Sequence, residues 1–203
     1  KWLSAQNINI GLAPCSAMRV NFVGELGWEL HHPVEYQNHI FDQLMEAGKE
    51  FGLKPYGIRA MNSLRVEKSY KLVGTELSIE YSPYESGLDR FVHPNKGDFI
   101  GRAALDKWRA KGFSNKLVTM EIHGVTDADV LGNNPIYDNG SVVGRATSGD
   151  FGFRLNKSIA LGMVKPELAK VGKKLKIDIL GKMHEASIVE ESPYDSENKL
   201  LRA

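Results

Sequence analysis

The character of the sequence changes at residues 111–115, Lys-Gly-Phe-Ser-Asn, and this change constrains the fold more than any other feature. Beyond it, short apolar runs alternate with turn residues, which is typical of short β-strands. The runs cover residues 117–122, 135–137, 141–144, 158–164, 174–179 and 183–189. So many short strands predict a small β-barrel or sandwich over residues 116–203 rather than an open sheet.

The sequence before this change mixes helical and strand patterns. Apolar residues recur at helical spacing in three stretches, and alternation with a period of two indicates strands between them. The helical stretches are 35–51, 58–71 and 98–111, the strands are 19–23, 28–30 and 87–92, and residues 1–12 have only weak periodicity. This order predicts an α+β domain over residues 1–112, with helices on an antiparallel sheet. We therefore expect two domains, 1–112 and 116–203.

Residues 19–30 are the best candidate for the wall of a ligand site. Val20 and Phe22 alternate with polar neighbours, and a glycine-rich turn then predicts a hairpin whose second strand carries Glu29 on the face opposite Trp28. A strand carboxylate near an indole can accept two parallel hydrogen bonds from a flat heterocycle that carries N–H groups. An ordinary hairpin whose carboxylates face water is the alternative that the pattern leaves open.

Arg59 is a second candidate for a binding residue. It lies in the first turn of a predicted helix, where the helix macrodipole favours anions rather than cations. Its planar donor fork could therefore reach a carboxylate or an acceptor on a ligand, although a solvent-exposed arginine is the alternative. Arg65 and Glu67 allow the same two interpretations.

Composition excludes several classes of function. The 203 residues carry a net charge of +1 that is spread evenly, and no basic patch indicates a nucleic-acid partner. No apolar run is long enough to span a membrane. The single cysteine, Cys15, excludes an internal disulfide, suits a reducing compartment and leaves no cluster for zinc. His31 and His32 point to opposite faces of a regular strand, so we interpret both as surface residues and expect no metal site.

Generic catalytic signatures are absent from the sequence. It contains no phosphate-binding glycine loop, no nucleophile elbow and no dinucleotide fingerprint. The polar tract at residues 145–152 is predicted to be a turn of the β domain, with a loop at the mouth of a site as the alternative. The chain begins at Lys1 rather than Met, so we expect it to be a fragment of a longer protein.

Short motifs follow one another along nearly the whole chain. They are Gly-Glu-Leu-Gly-Trp-Glu-Leu at 24–30, Ile-Arg-Ala-Met-Asn-Ser-Leu-Arg-Val-Glu at 58–67, Ser-Pro-Tyr-Glu-Ser-Gly-Leu at 82–88, Lys-Gly-Asp-Phe-Ile-Gly at 96–101, Tyr-Asp-Asn-Gly at 137–140, Gly-Arg-Ala-Thr-Ser-Gly at 144–149 and Ser-Pro-Tyr-Asp at 192–195. The order of these motifs resembles the folate-binding family of the glycine cleavage system T-protein, the aminomethyltransferase.

The resemblance implies a fold and a site. Residues 1–112 would form the second half of the T-protein folate-binding domain, and residues 116–203 its C-terminal barrel. Glu29 would bind the amino-pyrimidine edge of the pterin of tetrahydrofolate, Arg59 would complete the polar network, and Trp28 would wall the pocket. The family's catalytic aspartate lies in an N-terminal half that this chain lacks. No catalytic residue is therefore assigned, and the fragment alone is expected to be inactive.

The residues of two motifs indicate a branch of the family. Trp28 and the stretch around Asn62 resemble the C-terminal folate region of dimethylglycine and sarcosine dehydrogenases, since T-proteins usually carry Asp at the position of Asn62. In those enzymes an upstream domain that holds FAD oxidises an N-methyl amine, and the one-carbon unit is captured as 5,10-methylenetetrahydrofolate. The partners implied are folate, a small amine-derived donor and an upstream flavin domain, in a bacterial cytoplasm or a mitochondrial matrix.

Other members of the family remain as alternatives. A T-protein that works with a lipoyl carrier protein, and a dimethylsulfoniopropionate demethylase, share the expected fold. A non-catalytic folate-binding module is a third possibility, but its iron-sulfur assembly relatives carry a cysteine where this chain has Asp98, which argues against it. A scaffold that has lost folate binding is a fourth, and the presence of both Glu29 and Arg59 argues against that.

Overall fold

A three-stranded antiparallel sheet organises the first of two units in the computed structural model, which describes residues 1–125 and 127–203. This unit comprises Lys1–Met61 and Glu197–Ala203, and the second comprises Asn62–Ser196. The strands of the sheet are Ala5–Ile10 (β1), Ala13–Met18 (β2) and Glu29–His31 (β3). The helices are Gln37–Gly48 (α1), Ile58–Glu67 (α2), Arg102–Lys111 (α3) and Lys199–Arg202 (α4), and 3-10 turns cover Val34–Tyr36, Lys49–Phe51, Asp89–Phe91 and Pro166–Leu168.

The central strand of this sheet has one buried and one open side. The central strand, β2, pairs with β1 on one side and with β3 on the other. Its residues Ala13, Cys15 and Ala17 are at most 5% exposed, whereas the residues that alternate with them are half-buried or exposed. Directly opposed residues in adjacent strands share a face. Because Glu29 lies opposite Met18, its side chain belongs to the open face.

The predicted hairpin at residues 19–30 is wrong in its first strand, because residues 19–28 form the connection between β2 and β3. The side-chain oxygen of Asn21 accepts hydrogen bonds from the backbone N–H groups two, three and four residues later, at 3.0, 2.7 and 3.2 Å. Such local bonds compete with strand pairing, so the alternation around Val20 does not produce a strand. The first strand, β1, lies instead within residues 1–12, where weak periodicity predicts no regular element.

The helices α1, α2 and α3 occur where the sequence predicts them, with different ends, whereas α4 was not predicted. The predicted helix at 35–51 is α1 together with the 3-10 turns on either side of it. The next helix, α2, ends at Glu67 rather than at residue 71, because Ser69 adopts a left-handed φ of 56°. The strand predicted at 87–92 is wrong: this segment holds a 3-10 turn, in which bonds between residues three apart replace strand pairing.

Six strands of the second unit close an antiparallel barrel. They are Lys116–Ile122 (β4), Pro135–Asp138 (β5), Ser141–Gly152 (β6), Lys157–Val164 (β7), Lys174–Ile179 (β8) and Lys182–Val189 (β9), in the order β4-β7-β6-β5-β8-β9. Two-residue turns with positive φ at both positions join β5 to β6 at Asn139 and Gly140, and β8 to β9 at Leu180 and Gly181. The closed barrel, with the helices and antiparallel sheet before it, confirms the predicted fold class.

The strand β6 is longer than the apolar pattern indicates. The tract at residues 145–152, predicted to be a turn or a loop, continues β6 and pairs with β7 up to Gly152. Its polar side chains bond to partners far away in the sequence: Ser148 donates to Glu76, and Asp150 accepts from Asn62. A polar strand can therefore be buried here, because its side chains are satisfied by the protein rather than by water.

Candidate functional site

Glu29 is the carboxylate that the first unit presents on the open face of its sheet. It is the first residue of β3, and its side chain is 45% exposed. His31 lies two residues along the same strand and therefore on the same face. Its Nε2 is 3.3 Å from Glu29 Oε2, so the two side chains form a hydrogen-bonded pair. The structure thus places Glu29 where a ligand on this face can reach it.

A groove of about 690 Å³ lies on the same sheet. The residues that line it are Asn7, Ile8, Asn9, Pro14, Cys15, Ser16 and Pro33. Ser16 is directly opposite His31, and Met18, two residues further along β2, is opposite Glu29. The groove lining therefore includes Ser16, one row along the sheet from Glu29, but Trp28, Glu29 and Arg59 do not line it. Its size falls in the range of about 300–1,000 Å³ that small-molecule pockets occupy.

Trp28 immediately precedes β3 and is held by a buried arginine. The guanidinium carbon of Arg19 lies 5.6 Å from the centre of the indole, which is a cation–π distance. Arg19 is only 5% exposed and donates to the carbonyl oxygens of Gly27, Leu201 and Ala203, at 3.1 to 3.3 Å. Trp28 itself remains 51% exposed. One partner thus fixes the indole while half of its surface stays accessible next to Glu29.

Arg59 is the second residue of α2, and its side chain is exposed. The position in the first helical turn is the one that the sequence indicates. For the other two candidates, the structure shows a contact of Trp28 with Arg19 and a hydrogen bond between Glu29 and His31. The binding roles of Glu29, Trp28 and Arg59 stay predictions.

The second unit contains a buried polar network that sequence reasoning missed. Arg65 is 1% exposed and Glu76 is fully buried, with 3.6 Å between the guanidinium nitrogen and the carboxylate. Asn62 extends this pair: its side-chain oxygen accepts from Arg65 Nε and Nη2 at 2.9 and 2.7 Å, and its amide donates to Asp150 at 2.7 Å. Arg65 is therefore a structural residue, and the ligand-binding interpretation of it is not supported.

Burial and hydrogen bonding shift the pKa of Glu76 in opposite directions. Burial raises the pKa of the Glu76 carboxyl, but hydrogen bonds from Ser148, Leu72 N–H and Thr75 outweigh it, so that the pKa lies below its usual value. Burial lowers the pKa of Arg65, and the charges of Glu76 and Asp150 oppose that shift. Each charge is thus matched by a partner, as buried ions require.

A second cluster fixes the end of α2 in the same unit. The fully buried carboxylate of Glu67 accepts from the side chain and backbone N–H of Arg154 and from the backbone N–H of Leu155. The guanidinium of Arg154 stacks 3.8 Å above the ring of Tyr194. Lys68, which is also fully buried, donates to the carbonyl oxygens of Tyr194 and Asp195 at 3.0 and 2.6 Å. These charges are saturated by protein partners and are structural.

In residues 1–125 and 127–203, no group of three or more His, Cys, Asp or Glu side chains is arranged to hold a metal ion. Over the same residues, no helix combines the length and the apolar character that crossing a bilayer requires.

The helices and antiparallel sheet of residues 1–111 and the closed barrel of residues 116–189 define a class of protein, and family models identify it. The model of the GCVT N-terminal domain matches residues 1–96, and that of the glycine cleavage T-protein C-terminal barrel domain matches residues 115–195. The chain belongs to the glycine cleavage T-protein family. A crystal structure of the glycine cleavage system aminomethyltransferase T from Bartonella henselae has the same fold, with a TM-score of 0.80 and 23% identity over 90% of this chain and 50% of that one.

Relatives of two kinds are similar in sequence. The mitochondrial dimethylglycine dehydrogenase of Homo sapiens is 39% identical over 94% of this chain, and that of Rattus norvegicus is 37% identical over the same share. An aminomethyltransferase from Desulfitobacterium hafniense is 36% identical over 86% of the chain. The chain spans 22% of the length of both dehydrogenases and 47% of the aminomethyltransferase. It therefore corresponds to a part of each.

Proposed function

We propose that this chain is the tetrahydrofolate-binding C-terminal part of an enzyme that captures the one-carbon unit of an N-methyl amine as 5,10-methylenetetrahydrofolate. The observation that carries the proposal is Glu29, an accessible carboxylate on the open face of a sheet in a chain of the T-protein family. The identity of 39% with human dimethylglycine dehydrogenase supports the choice of an N-methyl amine as donor.

The open face suits the pterin ring chemically. The amino-pyrimidine edge of a pterin presents adjacent N–H donors, and a carboxylate offers two oxygens in the matching geometry. Glu29 would accept these donors, the exposed guanidinium of Arg59 would donate to an acceptor on the ligand, and the exposed half of Trp28 would cover the ring. When bound, tetrahydrofolate supplies the nucleophilic nitrogen N5, and these residues orient it.

The remaining parts of the enzyme would lie outside this chain. We assign no catalytic residue here, and we expect the chain by itself to be inactive. An upstream domain would hold FAD and oxidise the amine, and residues 1–112 and 116–203 would serve as the folate part and its barrel. The mitochondrial dehydrogenase relatives favour a mitochondrial matrix, and a bacterial cytoplasm is the alternative.

The test compares folate binding by the natural gene product with that of two variants. Glu29→Ala should raise the dissociation constant of 5-formyltetrahydrofolate at least tenfold, because a hydrogen bond to a charged group contributes about 1.5–3 kcal/mol. Glu46→Ala is the matched control: this carboxylate lies on the exposed side of α1, so its loss should leave affinity unchanged. Unchanged affinity in a folded Glu29→Ala protein would remove Glu29 from the site and refute the proposal.

A second candidate function is that of an aminomethyltransferase of the glycine cleavage system. The identity of 36% with the Desulfitobacterium hafniense aminomethyltransferase, over nearly half of that protein, supports it. Intact mass and the absorption spectrum of the natural gene product distinguish the two. A long polypeptide with a flavin band supports amine dehydrogenation, and a colourless polypeptide about twice the length of this chain supports the aminomethyltransferase.

A further inference from the structure

The contact of His31 with Glu29 is a feature of the open face that the proposed function does not use. We propose that His31 is a positioning residue, which holds the Glu29 carboxylate in the orientation that receives the pterin edge. This inference rests on the proposed function. It concerns a histidine that strand periodicity marks only as a surface residue.

The geometry determines how the two side chains interact. An ionised carboxylate only accepts hydrogen bonds, so the His31 Nε2 at 3.3 Å must carry the proton of the bond. The remaining neighbours on this face of the sheet are Ala5, Asn7, Asn9, Pro14, Ser16 and Met18, none of which titrates. Among the side chains of this face on β1, β2 and β3, His31 is the one that the structure places at hydrogen-bond distance from Glu29.

This bond leaves the carboxylate able to bind a ligand. Each carboxylate oxygen has two acceptor positions, and His31 occupies one of those on Oε2. Oε1 and the second position on Oε2 remain for two parallel N–H donors. An exposed side chain such as Glu29 otherwise samples several rotamers, and fixing it before the ligand arrives removes part of the entropy cost of binding. The pair thus favours binding without blocking it.

The adjacent His32 provides an internal control. It follows the last residue of β3, and its Nδ1 lies 2.9 Å from the Pro33 carbonyl oxygen. A change at this position alters a histidine of the same segment without touching the Glu29 carboxylate. Both histidines are accessible enough for substitution without disturbing a core.

The experiment measures 5-formyltetrahydrofolate binding to variants of the natural gene product. His31→Leu should weaken binding about fivefold, which corresponds to about 1 kcal/mol, the net contribution of an ordinary hydrogen bond. His31→Gln should restore affinity to within about twofold of the original, because the Gln amide places an N–H near the position of Nε2. His32→Leu should bind as the unmodified protein does. In a Glu29→Ala background, His31→Leu should cause no further loss, because His31 acts through Glu29.

The outcomes separate this inference from the function on which it rests. Unchanged affinity in Glu29→Ala would refute the folate site and the role of His31 together. A tenfold loss in Glu29→Ala with none in His31→Leu would refute the role of His31 alone. A loss in His31→Leu that persists after Glu29 is removed, or that His31→Gln fails to restore, would also refute positioning. The melting temperature of each variant confirms that it is folded.

Discussion

Replacing Asn62 by aspartate tests whether the buried network of the second unit depends on an amide at this position. The Asn62 amide donates to Asp150 at 2.7 Å and to the Gly149 carbonyl oxygen at 3.3 Å, while its oxygen accepts two bonds from Arg65. An aspartate keeps the oxygen that faces Arg65. It replaces the donor by a second carboxylate oxygen that points at Asp150.

The size of the effect follows from these contacts. Two unit charges about 4 Å apart interact by roughly 4 kcal/mol at an effective dielectric constant near 20. The introduced carboxylate is repelled by Asp150 and attracted by Arg65. These two interactions act over similar distances, so they largely cancel. The hydrogen bond to the Asp150 carboxylate is lost outright, which costs about 1.5–3 kcal/mol. We therefore expect Asn62→Asp to lower the free energy of unfolding by about 2 kcal/mol near neutral pH.

Urea unfolding of the single variant and of a swapped pair provides the assay. The double variant Asn62→Asp with Asp150→Asn again contains one amide, one carboxylate and the same net charge, so it should recover at least half of the lost stability. The midpoint and slope of the transition measure this directly. Full stability in the single variant, or a double variant no more stable than the single one, would refute the reasoning.

Two further predictions concern the same unit. Gly152→Ala should lower the melting temperature, because a Cβ there would lie 2.8 Å from Cγ of the fully buried Glu67. Gly57→Ala is the control and should leave the melting temperature unchanged, because no atom lies within 4 Å of a Cβ at that position. Equal losses in the two variants would contradict the steric argument. Hydrogen bonds hold the pKa of Glu76 and of Glu85 below the usual 4.5 despite burial. Their contribution to stability is therefore complete above about pH 4.5 and lost on acidification below it, and Glu85→Gln should flatten the fall in unfolding free energy measured between pH 5 and pH 2.

The sequence predicts the barrel well because its strands are signalled locally. Each apolar run is bounded by residues such as Asn139 and Gly140 that adopt positive φ, and the pattern needs no knowledge of distant partners. The second half of β6 lacks that signal. Its residues Ser148 and Asp150 are polar, and they are buried only because Glu76 and Asn62, 72 and 88 positions away, bond to them. No local pattern carries this information.

The candidate site, too, is only partly predictable from the sequence. The strand that carries Glu29 follows from alternation, and the family motif supplies its expected ligand. The pairing of Glu29 with His31 follows from the spacing of two residues, but only the structure shows that the two atoms meet. The burial of Arg65 was not predictable from the sequence alone, because charged residues in an amphipathic helix are usually on its solvated side.

The environment of Lys68 makes the reactivity of its amine a measure of local opening of the structure. Its ammonium group is enclosed by the carbonyl oxygens of Tyr194 and Asp195, and none of its surface is accessible. An amine-reactive label can therefore modify this lysine only when residues 194–195 detach from it. Peptide mass analysis after brief labelling would then measure how often that segment opens, with exposed lysines such as Lys199 as the internal standard for full reactivity.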